Sequence, residues 1–73
     1  MNDLVMFTIY DHPRDHPDWY VTRRLVVRSS VIYHDTQAVL SRTLEDARRA
    51  VPAGLYCLGR MPEHDPCIVE SWV

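Results

Sequence analysis

The sequence predicts a small α+β domain: a four-stranded antiparallel or mixed sheet with one helix on one face, in the order ββαββ. Three observations carry this. Two runs rich in β-formers precede a well-capped helical segment and two more follow it. The helical segment has only a narrow apolar stripe, so it covers one layer on one side. The 73 residues are 47% hydrophobic, enough for a core and too apolar for disorder, so residues 1–73 form one domain.

The first run, "LVMFTIY" (4–10), is an apolar strand whose Val5, Phe7 and Ile9 share a face. The segment 11–18, with two prolines and a cluster of charges, reads as a loop. "WYVTRRLVVR" (19–28) is the second strand, antiparallel to the first. Trp19, Val21, Leu25 and Val27 fall on one face, assigned to the helix side with Val5, Phe7 and Ile9. Met6, Tyr10, Tyr20, Arg24, Val26 and Arg28 are then left on the other. "SSVIYHDTQAVLS" (29–41) holds two apolar clusters split by "HDTQ", and reads as a short strand extension, a turn and the approach to a helix.

That helix lies in "TLEDARRAVPAG" (43–54). Thr43 is a good N-cap, and Asp46 stands where a capping box places an acid. Glu45 and Asp46 suit the positive end of the helix dipole, Arg48 and Arg49 the negative end. Glu45 and Arg49 are spaced for an i,i+4 pair. Leu44, Ala47 and Val51 make the apolar stripe, and Pro52 with Gly54 stops the helix. "GLYCLGR" (54–60) and "PCIVESWV" (66–73) are the last two strands, joined by "MPEHD" as a turn. "IVESWV" is also a candidate exposed edge.

The composition narrows the function classes. A net charge of −2 gives no field for a nucleic-acid binder driven by bulk charge. All eight basic residues are arginine, which follows from a GC-rich genome or from planar, bidentate contacts. The start lacks the basic n-region of a signal peptide, and no stretch approaches the roughly 20 apolar residues of a membrane span. The expectation is a cytoplasmic protein with reduced thiols and no membrane association.

The most chemically suggestive stretch is "DHPRDHPDWY" (11–20). His12, His16 and His64 beside aspartates suggest a metal centre, since a carboxylate can orient a ligating imidazole. Pro13 and Pro17 keep the first two histidines off a common helix face, which removes the H-E-x-x-H arrangement. In an extended segment the two stand about 12 Å apart, too far for one ion. A turn with Pro13 at its second position would partly restore the site. The plainer reading is a polar hairpin loop whose aspartates bond the local backbone.

Cys57 and Cys67 lack zinc-ribbon spacing and read as small buried hydrophobes. A final hairpin turning near Glu63 and His64 would set Cys57 opposite Glu70. No nucleophile–base spacing and no glycine-rich phosphate loop is present, so no enzyme and no cofactor are expected.

A lone helix leaves one face of the sheet bare. Tyr20, Arg24, Arg28, Tyr56 and Arg60 are the expected contact residues there, being of the types that dominate protein interfaces. The same mix can stack unpaired bases, a weaker alternative without lysines or an RNP-type motif.

"IYDHPRDHPDWYV", "TLEDARRAVPAGLYCLGR" and "DPCIVESWV" resemble short bacterial and prophage-borne proteins of unassigned function. That resemblance implies no activity or cofactor. By analogy with small phage inhibitors such as anti-CRISPR proteins, it implies a role in binding a host complex. The expectation is therefore a non-enzymatic protein–protein interaction module, with a protein partner or a second copy as a homodimer. A metal-binding protein or metal-dependent enzyme built on the His/Asp loop is the alternative, and a single-strand nucleic-acid binder the third.

Overall fold

The computed structural model describes residues 3–59 and 67–73. Its elements are β1 (Leu4–Asp11), β2 (Tyr20–Arg28), β3 (Val31–Ser41), α1 (Leu44–Arg49), β4 (Cys57–Gly59) and β5 (Ile68–Trp72). The strands form one sheet in the order β3-β2-β1-β5-β4, with every neighbouring pair antiparallel. The α+β expectation holds at that level. The strand count does not: five strands are present among the described residues, in the order βββαββ.

The extra strand comes from 29–41. Arg28 leads through Ser29 and Ser30, both at positive φ (51° and 65°), straight back into β3. Two consecutive left-handed residues make the tight turn that matches strand twist, though serine carries a Cβ there that glycine would not. The polar "HDTQ" that reads as a turn lies inside β3 instead. Arg23 stands opposite Ala38 and Leu25 opposite His34, so β3 takes four steps where β2 takes two. The polar stretch is an insertion of two residues bulging from the ladder.

Sheet faces follow from register, because directly opposed residues share a side. Ile9 lies opposite Thr22 and Glu70, and Phe7 opposite Arg24 and Trp72. Thr22 donates its hydroxyl to the Ala47 carbonyl of α1 at 3.1 Å, which puts the helix on this side. Tyr20, Arg24, Val26 and Arg28 are therefore on the helix side, while Val21, Leu25 and Val27 face away. This reverses the side expected for β2. A hydroxyl-to-carbonyl bond beneath the helix selects Thr22, and the apolar residues of β2 turn to the other face.

That other face is not bare at its centre. Val21 is fully buried, and Thr8 and Ser71 sit almost as deep with their hydroxyls 3.4 Å apart. Arg23 lies over the Tyr10 ring and pairs with Asp15, which ties the 12–19 loop to this side. On the helix side the fully buried residues are Ile9 in the central strand and Ala47 above it.

The helix follows its sequence signals closely. Thr43 is the N-cap and accepts from the Asp46 amide at 3.1 Å. Arg49 bonds Asp46 across i,i+3 at 3.2 Å, rather than making the expected pair with Glu45. The helix ends before Pro52, where the Ala50 amide donates to the Ala47 carbonyl in a tightened last turn. The C-terminal strand is not an edge, because β5 lies between β1 and β4. The turn expected at "MPEHD" lies outside the described residues, as do Arg60 and His64.

Candidate protein interface

The outermost strand on one side is β3, eleven residues long, about twice the usual strand. Among the described residues its outer edge pairs with no strand, which leaves a row of backbone N–H and C=O groups for pairing. At 31–33 and 39–40 its side chains are apolar and exposed, on both faces. Val31, Ile32 and Tyr33 are 50–57% exposed, and Val39 and Leu40 are 49% and 40% exposed. Ile32 and Leu40 point away from the helix, opposite Val27 and Val21; Tyr33 and Val39 are on the helix side, opposite Val26 and Thr22. Native edges usually carry lysine, proline or inward charges against association. β3 carries no lysine and no proline; its one departure from a plain edge is the two-residue bulge at its centre.

The residues expected at an interface do not gather. Tyr20 packs edge-on against the His12 ring, with centroids 5.1 Å apart. Arg28 clasps Asp3 through Nε at 3.0 Å and Nη2 at 2.7 Å, and this bond holds the Asp3 carboxyl below its ordinary value. Arg24 is exposed on β2. Tyr56, 79% exposed, precedes β4 at the far side of the sheet, where its amide and carbonyl pair with Val73. The edge residues Val31, Ile32, Tyr33, Val39 and Leu40 escape sequence reasoning, although the two apolar clusters in 29–41 are their signal.

The histidine loop is built from turns. The Pro13 carbonyl accepts from the His16 amide at 3.0 Å, and the His16 carbonyl from the Trp19 amide at 3.2 Å. Pro13 is thus the first residue of its turn, not the second. His12 adopts a left-handed backbone (φ 48°), and its Nδ1 is bonded to the Asp11 carboxylate. His16 Nε2 lies 4.0 Å from Asp15. Burial raises the Asp15 carboxyl, but the bond and charge of Arg23 outweigh it and the net shift is downward. Among the described residues no three His, Cys, Asp or Glu side chains converge as a metal set.

One buried carboxylate stands out on the helix side. Glu70 is 6% exposed and accepts from Arg48 Nε at 2.7 Å and Nη2 at 3.2 Å. The Cys57 thiol donates to it at 3.7 Å. Cys57 is paired in the ladder with Trp72, and its side chain reaches diagonally to Glu70. The Arg48 guanidinium holds the Glu70 carboxyl below its ordinary value. Trp72 Nε1 adds a weaker pull on it while completing no hydrogen bond of its own. This cluster clips α1 onto β5.

No family model matches the chain, and comparison with curated proteins and with solved structures returns no match either. Among the described residues no helix is long and apolar enough to cross a membrane.

Proposed function

We propose that this protein is a small non-enzymatic interaction module that works by pairing strand β3 with a strand of another chain. The observation that carries this reading is the combination on β3 of an open hydrogen-bonding edge with two exposed apolar clusters. In such strand addition, backbone bonds supply affinity and alternate side chains supply specificity. Tyr33 adds an aromatic of the kind that anchors interfaces. By analogy with small phage inhibitors, the bound chain is one of a host complex that the module blocks.

The test is a paired capture from host extract with the wild-type chain and the Ile32→Lys/Leu40→Lys variant. Both positions are exposed, so the substitutions leave the fold intact, as circular dichroism will register. Loss of a captured protein with the variant, and its retention with Arg24→Ala, supports the reading. Equal capture by wild type and edge variant overturns it.

A further inference from the structure

We infer that in the free protein, with no other chain captured, β3 pairs with β3 of a second copy, antiparallel, with the two-fold axis at residue 36. This rests on the reading of β3 as the interaction edge and adds the occupant and the register.

The argument is one of self-complementarity. Two copies of one strand can pair antiparallel only about an axis perpendicular to the sheet. Opposed residues then point to the same side, so their sequence numbers must sum to an even number. The insertion in β3 is of two residues, so both apolar clusters keep the same alternation. With the axis at 36, Ile32 faces Leu40 and Tyr33 faces Val39, each pair occurring twice. All four residues are among the exposed large hydrophobics. Ile32 and Leu40 lie on one side of the sheet, Tyr33 and Val39 on the other, so apolar surface is covered on both faces.

Neighbouring registers do worse. An axis at 35 pairs Val31 with Val39 but sets Ile32 against Ala38 and carries Leu40 past the end of the partner's β3, opposite Ser30. An axis at 37 sets His34 against Leu40 and Tyr33 against Ser41, and no apolar pair forms. Closure also follows. Pairing two β3 edges joins two five-stranded sheets and uses up the long β3 edge of each, so two copies complete the pairing through β3.

The experiment is sedimentation of the full-length chain with cysteine cross-linking. Wild type is expected to sediment as a dimer and Ile32→Lys/Leu40→Lys as a monomer. In a Cys57→Ser/Cys67→Ser background, Tyr33→Cys/Val39→Cys places thiols directly opposite each other, within disulfide reach. Val31→Cys/Val39→Cys leaves them on a diagonal. Mild oxidation is expected to give covalent dimer several-fold faster with the first pair. Faster cross-linking of the second pair overturns the register. A monomeric wild type that still captures a host protein through β3 overturns self-pairing and leaves the interaction reading standing. Capture that persists in the edge variant removes that reading as well.

Discussion

Arg48 Nε and Nη2 reach the two oxygens of Glu70 at 2.7 and 3.2 Å, a charge pair that joins α1 to β5. Removing the guanidinium would leave a buried carboxylate with too few partners. Such a group costs about 1–3 kcal/mol. Arg48→Met is therefore expected to lower the melting temperature, by about 4–8 °C per kcal/mol lost. Adding Glu70→Leu should recover much of that loss, because an apolar pair needs no compensation. A melting temperature unchanged by Arg48→Met would show that the clip contributes nothing.

The same carboxylate sets an acid limit. The Arg48 bond puts the folded Glu70 value below the ordinary 4.5. Its stabilisation is complete above that pH and is lost as pH falls through the folded value. Asp3, lowered by its bond to Arg28, acts in the same direction. Denaturant midpoints are expected to be flat at neutral pH and to fall below about 4.5, with a smaller fall for Glu70→Gln. An equal fall in the variant would assign the acid loss elsewhere.

The turn between β2 and β3 is improvable. Ser29 and Ser30 both occupy left-handed backbone, at φ 51° and 65°. Asn-Gly is the favoured dipeptide for such a turn. Ser29→Asn/Ser30→Gly is expected to stabilise by about 0.5–1 kcal/mol, after allowing for the unfolded-state entropy of glycine. A lower melting temperature would mean that the interactions of the Ser29 side chain outweigh the strain relieved.

Thr22 and Ala47 mark where α1 seats on the sheet. Thr22→Val keeps the shape and loses the 3.1 Å bond to the Ala47 carbonyl, for an expected cost of about 0.5–1.5 kcal/mol. Ala47→Leu adds volume where there is no exposure at all, and should cost about 1–3 kcal/mol. Thermal melts of both variants check this, and a tolerated Ala47→Leu would place the helix further from the sheet.

Chelation separates the histidine loop from a metal centre. Melting is expected to be unchanged by chelator, because among the described residues no three His, Cys, Asp or Glu side chains converge as a metal set. Stoichiometric metal in the purified chain, with melting lowered on its removal, would reinstate the loop as a site.

The parts of this fold that are legible in sequence are local. Thr43, the acids after it and Pro52 bracket α1 because caps and breakers act within one turn of chain. The β-rich runs announce β1, β2 and β5 for the same reason. The facing of β2 is not local. It depends on Thr22 meeting a helix carbonyl contributed 25 residues later, and reading apolar residues as helix-facing reverses it. β3 escapes because the polar residues His34–Gln37 between its two apolar clusters read as a turn. The proposed interface rests on strand order, which places β3 outermost and β5 inside, and no residue pattern announces that order.

The most direct measurement of the central claim is amide hydrogen–deuterium exchange along β3 across a concentration series. Exchange at residues 31–33 and 38–40 should slow as concentration rises, while β4 stays unchanged. Exchange in β3 that ignores both concentration and any captured protein would contradict its role as the pairing edge.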